Sequence, residues 1–216
     1  MTNPCRFPLI ALALAFVLSA AGVRANGTGA AIVFFGDSLT AGYGVEPEQA
    51  YPALIQQEIR EAGLDFEVVN SGLSGETTAA GARRVDWILR RPAAVFVLAL
   101  GGNDGLRGVP VEETENNLSR IIETVQKQQP QARIILAGMQ APPNMGLAFT
   151  SKFRALFPRL AERYSLPLVP FLLEGVGGVF EYNLADGIHP NPKGHQIVAD
   201  NIWPILEPVL KEIARN

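Results

Sequence analysis

The stretch AIVFFGDSLTAGYG, residues 31–44, contains the first predicted strand and the polar turn that follows it. Its first five residues are apolar without a break, which is typical of a strand buried on both faces of a sheet. The chain then becomes polar at Asp37 and Ser38. Asp and Ser commonly cap the helix that comes next, but a serine at the end of a strand can also be a nucleophile. This stretch alone does not decide between the two roles of Ser38.

Four further apolar runs, rich in Val, Ile, Phe or Leu, follow at intervals of 30 to 37 residues between their ends. They cover residues 66–70, 94–100, 133–137 and 168–171. Each interval is long enough for one β-α unit, which takes about 30 residues or more. Helical spacing of apolar residues predicts helices over 50–62, 77–90, 111–128, 150–165 and 192–215, the last one bent at Pro204 and Pro208. The pattern predicts a five-stranded parallel sheet in a three-layer α/β/α sandwich.

Residues 1–25 have the layout of a secretory signal peptide. Arg6 gives a positive start, residues 9–18 are apolar without a break, and small residues precede a cleavage position after Ala25. The apolar run is shorter than the roughly 20 residues that cross a bilayer, so cleavage is favoured over an uncleaved anchor. The sequence therefore predicts a periplasmic or secreted protein, with one domain over residues 26–216 and no stable membrane insertion after cleavage.

The composition argues against nucleic acid as a partner. The chain has 18 Lys and Arg against 21 Asp and Glu, and loss of residues 1–25 would remove two arginines and no acid, which changes the formal charge from −3 to −5. It has no run of basic residues suited to a phosphate backbone. The single cysteine, Cys5, lies within the predicted signal peptide, so the cleaved chain would have neither disulfides nor cysteine metal sites.

Polar, glycine-rich segments follow several of the predicted strands. Ser38 comes after the first strand, Gly75 after the second, Asn103 after the third, and Asp186 and His189 some way after the fifth. Parallel strands end at the same edge of a sheet, and ligands of open α/β sheets bind outside that edge. We therefore expect these residues to meet there.

The residue types that meet at this edge suit acyl transfer. A serine hydroxyl attacks a carbonyl only when a base removes its proton, and His189 is the candidate base, with Asp186 placed to orient it. The oxyanion then needs donors, which the Ser38 and Gly75 backbone amides and the Asn103 side-chain amide could supply. Taken singly, each of these residues also fits a turn, a cap or a surface pair; the set as a whole favours catalysis.

Four blocks resemble the signatures of the GDSL or SGNH hydrolase superfamily: GDSLTAGYG (36–44), SGETT (74–78), GGND (101–104) and DGIHPN (186–191). The segments NDGLRG, APPNMG, FPRLAERY and LPLVPFLLEGVGG are further similar to its single-domain bacterial thioesterase, arylesterase and lysophospholipase group. The resemblance covers the chain after the signal peptide. It implies a flavodoxin-like fold with strand order 2-1-3-4-5, Ser38 as nucleophile, Gly75 and Asn103 as oxyanion donors, and an Asp186–His189 pair behind Ser38.

The apolar, proline-stiffened segment APPNMGLAF (141–149) follows the fourth strand and suggests a groove for an acyl chain. Pro143, Asn144 and Met145 are therefore assigned to substrate binding. Relatives often carry an aromatic residue at the position of Met145, which bears on chain-length preference. The predicted substrate is a small-molecule acyl ester or thioester, such as an aryl ester, a lysophospholipid or an acyl thioester.

Two other functions remain as alternatives. A carbohydrate O-acetylesterase would need exposed aromatic and amide groups around the site, and the chain has two Trp and four Tyr. A non-hydrolytic lipid-binding protein on the same fold would not need the full set of site residues. No cofactor or metal is expected, because neither histidine has the neighbours that a metal site requires.

Several other residues are assigned to structural roles. Asp37, Asp104 and Gly72 are assigned to turns. His195 is assigned to a solvated or capping position at the start of the last helix, and Trp87 and Trp203 are assigned to the core. One buried helix face is predicted to consist of Leu118, Ile121, Ile122 and Val125.

Overall fold

The computed structural model describes residues 30–215, so the predicted signal peptide lies outside the described residues. The strands are β1 (Ala30–Gly36), β2 (Phe66–Gly72), β3 (Val95–Ala99), β4 (Arg133–Ala137) and β5 (Leu168–Val169). The α-helices are α1 (Ser38–Ala41), α2 (Tyr51–Glu61), α3 (Thr78–Ile88), α4 (Gly102–Arg107), α5 (Val111–Gln128), α6 (Leu147–Tyr164) and α7 (Pro192–Ile213). Short 3₁₀ helices cover Pro47–Gln49, Pro143–Met145 and Phe180–Tyr182.

The five strands form one parallel sheet in the order β2-β1-β3-β4-β5. Both the predicted sheet and the order that the resemblance implied are confirmed. Gly36 at the end of β1 pairs with Gly72 on one side and with Ala99 on the other. The carboxyl ends of the three strands are therefore level, and the loops that follow them leave the sheet side by side.

Helices cover both faces of the sheet. The helices α2 and α7 pack on each other, whereas α5 packs between α3 and α6. This division follows from right-handed crossovers, because β1 connects to β2 in one direction and every later connection runs in the other. The central strands β1, β3 and β4 are buried along nearly their whole length, which explains their continuous apolar sequence. The predicted buried face of α5, from Leu118 to Val125, is confirmed.

The four-residue helix α1, which was not predicted, lies directly against the sheet because two glycines allow it. A Cβ atom on Gly36 would lie 1.9 Å from the Thr40 hydroxyl oxygen, and one on Gly72 would lie 2.2 Å from the Ala41 nitrogen. Gly72 was assigned to a turn, but it ends β2 and leaves room for this helix. The close packing fixes the position of Ser38, the first residue of α1, relative to two strands.

One prediction about the helices needs correction. Trp87 was assigned to the core, but its side chain is 63% exposed, because Val85 and Ile88 occupy the buried face of α3 and Trp87 lies outside it. Helix α7 continues through Pro204 and Pro208 without a break, and the bend expected at these prolines stays a prediction. Pro204 and Pro208 both lie on its exposed face, where the carbonyl groups that lose their helical partners are accessible to water.

Candidate active site

Ser38 begins α1 immediately after β1, at the carboxyl edge of the sheet. Asp37 caps this helix: its side-chain oxygen accepts a hydrogen bond of 3.0 Å from the Leu39 amide. The helix ends after one turn at Gly42, which has a left-handed backbone conformation. The capping role that sequence alone could not exclude therefore belongs to Asp37, and the Ser38 hydroxyl is free for another partner.

His189 and Asp186 lie in a short loop that is fixed by its own backbone. The Leu184 amide donates to the His189 carbonyl over 2.7 Å, and one Asp186 carboxylate oxygen accepts from the amides of Ile188 and His189, over 2.9 and 3.0 Å. Gly187, between them, has φ of +70°, a conformation that glycine adopts without strain. The loop thus holds the carboxylate next to the imidazole.

Three side chains form a hydrogen-bonded chain. The second Asp186 carboxylate oxygen lies 2.6 Å from His189 Nδ1, and His189 Nε2 lies 2.9 Å from Ser38 Oγ. A carboxylate only accepts, so Nδ1 carries a proton and donates it to Asp186. The Nε2 lone pair is then available to accept from the serine hydroxyl. The structure therefore brings together the three residues that sequence predicted to form a triad.

The Asp186 carboxylate is stabilised in its charged form. The backbone amide of His189 is the largest cause, and with the His189 ring and the Ile188 amide it lowers the pKa of Asp186 to about 2. The carboxylate is therefore ionised at neutral pH.

The three residues predicted to supply oxyanion donors, Ser38, Gly75 and Asn103, all line one cavity. Gly75 comes from the loop after β2, Asn103 lies on α4 after β3, and His189 lines the same cavity. The Asn103 side-chain nitrogen donates to Asp37 over 3.2 Å. The side-chain nitrogen of an asparagine carries two hydrogens, so one remains to donate to a ligand.

Asp37 contributes more than the predicted turn. Its side chain is buried, and burial raises the pKa of its carboxyl to about 6, an effect that the hydrogen bonds from Leu39 and Asn103 offset in part. Asp104, which was assigned to a turn, lies in the first turn of α4 instead, and it accepts from the amide and the hydroxyl of Thr78 at the start of α3. Sequence reasoning missed both contacts, since the partners lie 66 and 26 residues away.

The cavity has a volume of about 620 Å³. Its polar end includes Ser38, Asn103 and His189. Its apolar wall includes Leu106, Met139, Pro142, Pro143, Phe171 and Leu173. Tyr43 stands beside the imidazole, with 4.5 Å between the ring centroids of Tyr43 and His189. Tyr43, Phe171 and Leu173 were not among the predicted substrate-binding residues, although all three lie in segments that carry the family resemblance.

The predicted substrate-binding segment lies only partly at this cavity. Pro143 is one of the lining residues, whereas Asn144 and Met145 are not. Met145 instead lies over Gly108, where its methyl group would be 2.9 Å from a Cβ atom. The role of these three residues in substrate binding stays a prediction.

His195 was expected to be solvated or to cap α7, and this expectation is wrong. Asn191 caps the helix, and the His195 side chain is buried, with its Nδ1 accepting a hydrogen bond of 3.2 Å from the Tyr51 amide. His195 shares the buried face of α7 with Val198, Ala199 and Ile202. Its spacing from these residues was a signal in the sequence that could have shown its burial.

Within residues 30–215, no group of three or more His, Cys, Asp and Glu side chains is placed to hold a metal ion. The expectation that the protein needs no cofactor stays a prediction.

A parallel α/β/α sandwich with a serine, a histidine and an aspartate in line at the carboxyl edge of its sheet is an arrangement used by hydrolases. Comparison with known proteins identifies the family of hydrolases to which the chain belongs. A profile of the GDSL-like lipase/acylhydrolase family matches residues 34–197. The chain belongs to this family, and it is a hydrolase of acyl esters.

Relatives of this chain include named esterases. Esterase TesA of Pseudomonas aeruginosa is 38% identical over 83% of this chain and 89% of its own length. Thioesterase 1/protease 1/lysophospholipase L1 of Escherichia coli K12 is 34% identical over 83% of this chain and 84% of its own length. The crystal structure of TesA matches with a TM-score of 0.79, at 37% identity over 83% of this chain and 99% of that chain.

Proposed function

We propose that Ser38 is the nucleophile of this hydrolase, with His189 as its base and Asp186 as the residue that orients His189. The observation that carries the proposal is the 2.9 Å contact between Ser38 Oγ and His189 Nε2, backed by the 2.6 Å contact to Asp186. A histidine held in this tautomer removes the serine proton as the hydroxyl attacks. No other part of the cavity wall offers a hydroxyl paired with a base in this way.

The reaction proceeds in two steps through an acyl-enzyme. Ser38 Oγ bonds to the carbonyl carbon, its proton moves to His189 Nε2, and the carbonyl oxygen becomes an oxyanion held by the Ser38 and Gly75 amides and the Asn103 side chain. Collapse expels the alcohol or thiol, which takes the proton from His189. A water molecule then attacks the acyl-serine while His189 accepts its proton. The carboxylic acid leaves, and the proton returns from His189 to Ser38 Oγ.

The substrate class follows from the two ends of the cavity. Its polar end accommodates the reacting carbonyl, and its apolar wall, with Leu106, Phe171 and Leu173, suits a hydrocarbon chain. Such a wall offers few partners for sugar hydroxyl groups, which counts against a carbohydrate O-acetylesterase. We propose aryl esters, lysophospholipids and acyl thioesters as substrates; the name of the Escherichia coli relative agrees with the last two, and a relative from Vibrio mimicus is named an arylesterase.

The test compares the chain with a Ser38→Ala variant on p-nitrophenyl esters of increasing acyl length. We expect the unaltered chain to hydrolyse them, with kcat/KM higher for a medium chain than for acetate. The variant should lose activity by about 10⁴-fold or more, because the nucleophile is absent.

Ser151→Ala is the matched control, since Ser151 is exposed on α6, and it should keep full activity. Circular dichroism and thermal unfolding establish that both variants fold. A folded Ser38→Ala variant with the activity of the unaltered chain would refute the proposal.

We also propose that residues 1–25 direct export and are removed after Ala25. Within residues 30–215, no helix combines the length and apolar character needed to cross a membrane, so nothing in that part opposes release. Mass spectrometry of the protein recovered from a periplasmic fraction should give a chain that starts at Asn26. Recovery of the full-length chain from the cytoplasm alone would contradict export.

A further inference from the structure

The Asn103 side chain is held at both ends. Its nitrogen donates to the Asp37 carboxylate over 3.2 Å, and its oxygen lies 3.5 Å from a guanidinium nitrogen of Arg107, a long contact. A carboxylate accepts hydrogen bonds and cannot donate when ionised, whereas a guanidinium donates and cannot accept. The two partners therefore allow one orientation of the amide, with its nitrogen towards Asp37.

Asp37, the partner of the Asn103 nitrogen, is buried. The carboxylate is fixed by the Leu39 amide through one oxygen and meets Asn103 through the other. The second oxygen comes so close to α4 that a Cβ atom on Gly102 would lie 3.2 Å from it. Absence of a side chain at Gly102 thus lets the carboxylate reach the amide of the next residue.

The Arg107 side connects two loops of the site. The same guanidinium nitrogen that faces the Asn103 oxygen donates to the Gly75 carbonyl over 3.1 Å. Gly75 and Asn103 supply two of the three proposed oxyanion donors, and they come from different strands. Arg107 therefore holds the relative position of those donors from the exposed side of the site.

We propose that Asp37 and Arg107 are positioning residues that clamp the Asn103 amide, so that its second N–H points into the cavity at the oxyanion. The inference rests on the proposed function, because it assigns Asn103 to the oxyanion hole. Oxyanion donors act through fixed placement, and loss of one commonly costs about 10²- to 10³-fold in kcat. A donor that is free to turn away loses part of that benefit even though its side chain is still present.

The experiment is a double-mutant cycle between Asp37→Asn and Asn103→Ala. Asp37→Asn keeps the shape of the side chain, but whichever way the new amide turns, its NH₂ group faces either the Asn103 nitrogen or the Leu39 amide. We expect kcat to fall by about 10- to 100-fold with KM changed less than about threefold, because binding of the ground state does not use the oxyanion donor.

The cycle separates positioning from other roles. If Asp37 acts through Asn103, Asp37→Asn should change kcat by less than about twofold when Asn103 is already alanine. An equal loss of kcat in both backgrounds would overturn the clamp, because Asp37 would then act on the fold or on the reaction directly. Asp200→Asn, an exposed aspartate on α7, is the matched control and should leave kcat unchanged.

Arg107→Gln provides an independent arm, since Arg107 is exposed and its replacement does not threaten folding. Its effect on kcat should be smaller in the Asn103→Ala background than in the unaltered chain; an equal effect overturns the Arg107 half of the clamp.

Failure of the clamp differs from failure of the proposed function. Full activity of Asp37→Asn beside an impaired Asn103→Ala removes the clamp alone, whereas full activity of Asn103→Ala removes the oxyanion assignment as well.

Discussion

Asp186 and His189 lie three positions apart in one turn, whereas Ser38 lies 151 residues before His189. The local pair could be proposed from spacing, since a turn with a glycine at its centre brings residues i and i+3 together. The contact to Ser38 required the sheet, because β1 and the loop before α7 meet only in the folded chain. At the scale of single residues, the site thus combines one local contact with one that tertiary structure creates.

His195 carries a prediction about pH. Its imidazole is neutral in the folded protein, because burial lowers its pKa to about 4 and the nearby His189 adds to this effect. In the unfolded chain the ordinary value, about 6.5, applies. Below pH 6.5 the unfolded imidazole therefore binds a proton that the folded one does not, and the contribution of His195 to the free energy of unfolding should fall between pH 6.5 and 4, by up to about 1.4 kcal/mol per pH unit. Asp37 acts in the opposite direction below pH 6, because its raised pKa lets the folded state bind a proton that the unfolded state does not.

Urea unfolding of the unaltered chain and of His195→Gln between pH 7.5 and 4.5 tests this expectation. The variant should be less stable at neutral pH, because the acceptor for the Tyr51 amide is altered, and the difference in free energy of unfolding between the two proteins should shrink as the pH falls through this window, because Asp37 titrates in both. A difference that stays the same from pH 7.5 to 4.5 would show that His195 does not contribute to the pH dependence.

At the scale of elements, the short helix α1 is the feature that sequence reasoning missed and that the site depends on. It was hidden because four residues are too few to show helical periodicity. Its position depends on Gly36 and Gly72, which belong to strands far apart in sequence and adjacent in the sheet. The same residues that end two strands therefore place the nucleophile.

Gly72→Ala is expected to reduce activity more than stability alone would explain. The new methyl group would meet the Ala41 backbone, and relief of that contact requires α1 to shift, at a cost of about 1–3 kcal/mol. A shift of the nucleophile by a fraction of an ångström should lower kcat by about 10- to 100-fold.

Gly63→Ala gives the comparison, because a Cβ atom there meets nothing within 4 Å and the positive φ alone makes the change unfavourable, by about 1–2 kcal/mol. Thermal unfolding and esterase kinetics should show a loss of stability in both variants and a loss of kcat in Gly72→Ala alone. Unchanged kcat in a folded Gly72→Ala variant would mean that α1 does not set the position of Ser38.

At the scale of the whole molecule, the strand order reverses between β1 and β3: β2 lies on one side of β1, and the later strands follow on the other side. The cavity opens beside this point of reversal. Loops after β1, β2 and β3 supply the nucleophile and the oxyanion donors, while the segments after β4 and β5 supply much of the apolar wall. Polar and apolar lining residues follow the same strand in two cases, since Asn103 and Leu106 both follow β3 and Phe171 and His189 both follow β5. The reacting groups and the apolar wall therefore lie side by side at one edge of the sheet, which suits a reacting carbonyl with a hydrocarbon tail.

The sequence by itself determined the strands, the long helices and the edge of the sheet at which the site lies. Continuous apolar runs and helical periodicity depend on short-range spacing, and the end of each parallel strand marks the same edge. Tertiary structure alone decided that Trp87 is exposed, that the Tyr51 amide donates to His195, and that Asp37 meets Asn103. The physical reason is that burial and hydrogen bonding across elements depend on which surfaces meet, and a residue's neighbours along the chain do not specify those surfaces.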